Sequence, residues 1–425
     1  MVRSGRIQRL AKDAARFGTT AGPIALDWPT VVRRQHDIVT EFQPLPASLA
    51  RAGAEIILGE ARFADPHTIT VNGSALRGDR IIIAAGSIPV VPALPGIEAA
   101  ITSDEILFLP VFPRRLVIVG AGAIGLEMAG AFSDFGAEVV IIGQEREILP
   151  AFDPDVAGYL RKIFEGRGVT FHLGANLTSF SGRRGGVTVR FMKDGVPHEV
   201  TADQACVAIG RRWRPETLGA EHLGLERGHL GLEVTPYLRT SVAHIYAAGD
   251  AAGNAQLTPV AAYEGRVAAH NALQGDQLIA DTTLVPQSVF TTPEVAKVGL
   301  THRAATASGV KCHVATQDLR GASNGRATGE DDGYLKLVFD ATQERLLGAQ
   351  MISYAGAELI QMAALAIRTG ATASVLAAQL SVHPSHAERF FKIAAHDHHE
   401  ICEVGERREA IEKGDRLKNP NGGVQ

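Results

Sequence analysis

The stretch Leu116 to Phe132, LVIVGAGAIGLEMAGAF, constrains the fold more than any other part of the chain. A short apolar run, Leu116 to Val119, opens into Gly120-Ala121-Gly122-Ala123-Ile124-Gly125, and apolar residues then recur at helical spacing from Ala123 to Phe135. A second apolar run follows at Glu138 to Ile142. Strand, glycine turn, helix and strand in this order make a βαβ unit, which predicts a parallel sheet with right-handed crossovers and an α/β fold. In such a turn the first glycine permits the tight bend and the second lets backbone amides approach a diphosphate. The third lets the helix pack against the sheet. The positive end of the helix then faces the phosphates, so the motif predicts a dinucleotide site.

The choice of dinucleotide stays open at this level. An acid at the end of the second strand would accept from the ribose 2′-hydroxyl of NAD, and an arginine nearby would suit NADP. Here Gly143 ends the strand and Gln144-Glu145-Arg146-Glu147 follows, with the only arginine between two glutamates.

Later in the chain, Ile245 to Ala248 predicts a strand that runs into Gly249-Asp250. Asp250 would stand at a strand's C-terminal edge, where ligands of α/β sheets gather, or would cap the next helix. From Pro286 the pattern changes. Gly333 to Phe339 and Arg345 to Ile352 read as strands, and Ala357 to Thr369 as an apolar-faced helix, which predicts a separate α+β domain. Within LSVHPSHAERFF, His383 precedes Glu388 by five residues. A histidine held by a carboxylate is a general-base arrangement, because the carboxylate fixes the tautomer and stabilises the imidazolium.

Composition excludes several classes of partner. With 42 basic and 46 acidic residues the net charge is −4, and no run of like charges suggests a nucleic-acid surface. No segment approaches the 18 apolar residues of a membrane span, and the chain reads as soluble and cytoplasmic. Cys206, Cys312 and Cys402 lie far apart, unlike a disulfide framework or a CxxC site. His396-Asp397-His398-His399-Glu400 is dense in ligand types but lacks HExxH spacing, so it reads as a solvated terminal turn and no metal site is expected.

Seven motifs in order, IIIAAGSIPVVPALPGI, GAGAIGLE, CVAIGRRWRPETLGAEHLGLE, IYAAGD, LTPVAAYEGRVAA, VFTTPEVAKVGLT and HPSHAE, resemble the FAD-dependent pyridine nucleotide-disulfide oxidoreductases, a family that includes dihydrolipoyl dehydrogenase, glutathione reductase and mercuric reductase. The resemblance covers about residues 1 to 395. It implies doubly wound FAD- and NAD(P)-binding domains plus an α+β dimerisation domain. The implied divisions are 1–112 and 236–285 for a partial FAD-binding domain, 113–235 for the NAD(P)-binding domain, 286–402 for the interface domain and 403–425 for a polar tail.

The resemblance also implies roles for particular residues. Gly120, Gly122, Ala123, Ile124 and Gly125 would bind NAD or NADP, with Gly210 closing over it and Glu127 beside it. Asp250 would hold the ribityl chain of FAD. Ala85 and Gly86 match a turn near FAD, with alanine in place of the usual threonine. Ala61, after an expected strand EIILGEA, would contact FAD through its backbone, and Leu257, Thr258, Pro259 and Val260 would line the flavin. His383 and Glu388 match the dyad that serves the partner subunit's redox cysteines, with Ser385 where threonine is usual.

The implied activity passes electrons between NAD(P)(H), FAD and a small-molecule or protein-bound disulfide in a homodimer, most like dihydrolipoyl dehydrogenase. The family's Cys-x-x-x-x-Cys pair and its first GxGxxG are missing from this sequence, as is the lysine that usually pairs with the counterpart of Glu127. The chain is therefore expected to begin after the first βαβ unit, either through a start assigned too far downstream or as a true fragment. Retention of His383, Glu388 and Asp250 favours the former. A rival reading is a non-catalytic dimer that binds a nicotinamide cofactor only.

Overall fold

A computed structural model describes residues 1–41 and 45–394. Cys402, the cluster His396 to Glu400 and the tail from 403 lie outside the described residues.

The βαβ reading is realised at Arg115–Val119, Ala123–Phe135 and Glu138–Gly143. These strands belong to a five-stranded, wholly parallel sheet in the order Ile101–Thr102, Gln204–Val207, Arg115–Val119, Glu138–Gly143, Thr170–Leu173. The central strand is buried on both faces, with Leu116, Val117 and Ile118 fully inaccessible. Period two sorts its residues. Leu116 and Ile118 pack against the helices, whereas Val117 and Val119 pack against the antiparallel sheet of Ala175–Arg183, Gly186–Lys193 and Val196–Ala202. The first helix, Val2–Lys12, lies close along Ala123–Phe135. A Cβ on Gly5 would stand 3.0 Å from the Ala131 carbonyl oxygen, so glycine permits that approach.

Two segments far apart in sequence meet in a second parallel pair, where Ile81–Ile83 aligns with Ile245–Ala247. Trp213, Ala220, Leu223 and Leu232 pack here, in one cluster with Ile81, Ile83 and Ile245. These residues fall inside the expected 113–235 division, yet they share a core with the segments on either side of it. The expected strand before Ala61 does not form. Ala61–Asp65 is itself the first strand of a three-stranded antiparallel sheet, and Glu55 to Leu58 has no regular structure. Strands need a ladder partner, and Leu58 is 79% exposed with none beside it among the described residues.

The last part is a five-stranded antiparallel sheet ordered Gln287–Val289, Glu294–Gly299, Leu346–Ser353, Tyr334–Asp340, Cys312–Asp318. The helix Gly356–Arg368 packs on it through Ile360, Ala363 and Ala366. A buried polar knot joins this sheet to the nucleotide-turn unit. Lys336 Nζ lies 3.1 Å from Asp153 Oδ2 and 2.9 Å from Asp155 Oδ1, and Asp153 also accepts from Gln350 Nε2 and from the amides of His302 and Arg303.

Candidate active site

The glycine turn opens onto a cleft of about 490 Å³. A Cβ on Gly120 would lie 2.3 Å from the Ala208 carbonyl oxygen, and one on Gly125 would lie 2.0 Å from the Gly120 carbonyl oxygen. Both positions are closed to any larger residue. Gly122 differs, because its Cβ would meet nothing within 4 Å, so the turn leaves free space where a diphosphate would approach the helix N-terminus. Gly120, Gly122, Ala123, Ile124 and Gly210 line this cleft together with Asp250 and Gln256, whereas Gly125 is buried beneath it. The size and the open glycine fit a nicotinamide dinucleotide.

Asp250 reaches the cleft from the end of Ile245–Ala247. Its Oδ2 accepts a 2.5 Å hydrogen bond from Ser87 Oγ, so the carboxylate is bound across the parallel pair and does not cap a helix. Ser87 follows Ala85 and Gly86 in the turn after Ile81–Ile83, with Gly86 at φ +67°. Arg211 holds the same turn, donating to Ser87 Oγ at 3.1 Å, to the Ser87 carbonyl at 2.8 Å and to Asp104 at 2.5 Å. Behind Asp250, the buried Glu264 accepts from the Gly249 amide at 2.8 Å and from Asn254 at 2.9 Å. Burial raises the pKa of Glu264 from its ordinary value against the pull of these donors.

The helix Thr258–Gln274 begins beside this turn. Leu257 stands at its N-cap without a side-chain cap, Thr258 and Pro259 are exposed, and Val260 is buried. Free amides at a helix start and a neighbouring carboxylate fit the polar chain and ring of a flavin. The described residues contain one GxGxxG turn, at 120–125, and so offer one place of this kind for a diphosphate. Sequence reasoning overlooked Ser87, Arg211 and Glu264. A signal existed for the last, since Glu264 falls in the buried stripe of Val260, Val267, Ala268 and Asn271.

Two expected residues stand elsewhere. Glu127 faces a different cavity, of about 630 Å³, which it lines with Arg3, Arg6, Arg34 and Glu294. Burial raises its pKa, and its Oε1 accepts from the Phe290 amide at 2.9 Å. Ala61 lies at the start of its hairpin sheet, paired with Val71.

The histidine and its carboxylate form a third centre. His383 Nδ1 lies 2.7 Å from Glu388 Oε2. The Glu388 side chain is 1% exposed and the His383 ring 64% exposed, so the ring is anchored from inside and presents itself outward. Burial alone would raise the Glu388 pKa, but hydrogen bonds from His383 and Lys392 hold it below the usual value. Ser385 Oγ accepts from the Glu388 amide at 3.2 Å and donates to the Val382 carbonyl at 2.7 Å. That needs only a hydroxyl, which explains why serine serves where threonine is usual. Leu380 and Val382 beside this centre are 91% and 77% exposed. Cys206 and Cys312 are both buried in separate sheets, and burial pushes the Cys206 thiol up to about 12.

The family model described as pyridine nucleotide-disulphide oxidoreductase matches residues 10–265, and its dimerisation domain matches residues 285–394. The chain is 34% identical over 389 residues to a glutathione reductase from Burkholderia cepacia, covering 89% of this chain and 84% of that protein. It is 32% identical over 397 residues to a dihydrolipoyl dehydrogenase from Chlorobaculum tepidum, covering 91% and 85%. A mercuric reductase from Bacillus cereus is 30% identical over 393 residues, which span 91% of this chain but 62% of that longer protein. Among solved structures, the HOCl-induced flavoprotein disulfide reductase RclA from Escherichia coli superposes with a TM-score of 0.79 at 27% identity, covering 91% of this chain and 88% of that one.

Proposed function

Because the chain belongs to the pyridine nucleotide-disulphide oxidoreductases, a family of enzymes that bind FAD and NAD(P), we propose that it passes electrons between a nicotinamide nucleotide, FAD and a disulfide, most like dihydrolipoyl dehydrogenase. Mercuric reductase-like and glutathione reductase-like substrates are the alternatives within this reading. When bound, the nicotinamide and the flavin supply hydride transfer between them. Gly120, Gly122 and the start of Ala123–Phe135 would hold the first, and Asp250 and the start of Thr258–Gln274 the second.

The observation that carries the reading is the pair His383 and Glu388. Glu388 receives the Nδ1 proton of His383, which leaves Nε2 free to accept a proton from a thiol as it becomes a thiolate. In the reverse direction the same nitrogen protonates the thiolate released from a disulfide. Neither Cys206 nor Cys312 supplies that thiol, given their burial. The exposed ring and its apolar neighbours Leu380 and Val382 instead suit a thiol brought to the ring from outside, as by a dithiol substrate.

A second reading, a dimer that binds a nicotinamide nucleotide without dithiol chemistry, is favoured by the same burial of both described cysteines. The test is to measure disulfide-dependent and artificial-oxidant-dependent oxidation of the nicotinamide by the FAD-supplied chain and its His383→Ala variant. Loss of roughly a hundredfold or more in the disulfide assay alone supports the first reading. Equal loss in both assays refutes the dyad's role, and tight nucleotide binding with no disulfide turnover in the parent chain selects the second.

A further inference from the structure

We propose that Glu145 makes the cleft selective for NAD(H) over NADP(H), an inference that rests on reading the cleft as a nicotinamide dinucleotide site. The strand Glu138–Gly143 ends in a glycine at a crowded place. A Cβ on Gly143 would fall 2.9 Å from Leu173 Cδ2 and 3.1 Å from Ala121 Cβ, so an acid at the strand's last residue would need the Leu173 side chain to turn aside and Ala121 to give. The chain then turns, and the Glu145 carbonyl is pinned by the Gly174 amide at 2.9 Å. From this turn Gln144, Glu145 and Glu147 line the cleft, but Arg146 does not. The Arg146 Cγ lies 3.6 Å from where a Cβ on Gly174 would stand, over the neighbouring strand's end.

Charge then decides between the two nucleotides. Among the described residues lining the cleft, Arg211 is the one basic side chain, and its guanidinium is already directed at Ser87 and Asp104. A ribose 2′-hydroxyl would find carboxylate acceptors at this turn. A 2′-phosphate, carrying nearly two negative charges, would meet two glutamates and no available cation. Glu145 takes over, two residues later, the part that a strand-end acid plays in other nucleotide folds.

The test is a direct binding titration of the full chain with NADH and with NADPH, followed by nicotinamide fluorescence and by calorimetry. NADH should bind at least about tenfold more tightly at low salt, the scale of one or two screened like-charge contacts, with the ratio shrinking as salt rises. Glu145→Arg should reverse or abolish the preference, and Glu145→Gln should reduce it with a smaller loss of NADH affinity. Equal or tighter NADPH binding by the parent chain overturns the selectivity while leaving the dinucleotide reading in place. Failure to bind either nucleotide overturns both, and an unchanged ratio in Glu145→Arg removes Glu145 from the explanation.

Discussion

Glu264 and Gly249, fifteen residues apart, are joined by a 2.8 Å hydrogen bond from the backbone amide of the glycine to a carboxylate with no solvent access. The bond fixes the turn that carries Asp250 into the cleft. Glu264→Ala should cost about 1–3 kcal/mol, because it strands the Gly249 amide and the Asn254 side chain. Glu264→Gln should cost less and supplies a neutral reference. A buried acid with a raised folded pKa binds its proton more tightly in the folded state, so its ionisation penalises folding as the pH rises. Urea denaturation should therefore show the parent chain losing stability relative to Glu264→Gln as the pH rises from the ordinary carboxylate value through the raised folded one.

Asp153, held in the knot by Lys336, titrates with the opposite sign. Burial opposes ionisation of Asp153, yet the Arg303 amide and the Lys336 ammonium lower its pKa. Its stabilising contribution is thus present above the unfolded carboxylate value and is lost as the pH falls. Lys336→Met should destabilise by about 3–5 kcal/mol, since it leaves a buried charge without its cation. Thermal unfolding should also show a shallower loss of stability on acidification in this variant.

The three glycines of the turn should separate folding from binding. Gly125→Ala drives a Cβ into a backbone carbonyl and should cost about 3 kcal/mol or more, as an overpacked position does when the obstacle cannot rotate away. Gly122→Ala meets open space and should change stability by less than about 0.5 kcal/mol. Because a bound dinucleotide would set its diphosphate in that space, affinity in Gly122→Ala should still fall roughly tenfold or more, which a binding titration reads directly.

Native thiol chemistry should be silent at the two described cysteines. With the Cys206 thiol pushed up to about 12 and both side chains buried, iodoacetamide at pH 8 should leave the peptides containing Cys206 and Cys312 unlabelled. Both should label in concentrated urea, as peptide mass spectrometry would show. Fast native labelling of Cys206 would contradict its place in the parallel sheet.

Legibility in the sequence followed how local each feature is. The run 116–142 carries its own periodicity, glycine punctuation and length, and its elements form within a residue of their expected bounds. The pair His383 and Glu388 was readable because five residues and one turn suffice to bring them together. Ile56, Ile57 and Leu58 have the composition of a strand, but strand formation depends on a neighbour that no local pattern encodes. Ser87 and Arg211 are 124 residues apart, so their contact follows from topology alone. Gly143 looked like a missing acid, and only the proximity of Leu173 and Ala121 shows how crowded that strand end is.

The alignment of Ile81–Ile83 with Ile245–Ala247 also bears on the order of folding. The entire five-stranded parallel sheet is spelled out between these two strands, so its pairings, 23 to 105 residues apart, close shorter loops than theirs, at 164 residues apart. Loop-closure entropy rises with the logarithm of length, and distant pairings form late when local ones can precede them. The nucleotide-turn unit should thus acquire amide-exchange protection first, and its folding draws the two outer strands into register. Asp250 and Ser87, which sit at the ends of those strands, would be assembled last, making the cleft a reporter of completed folding.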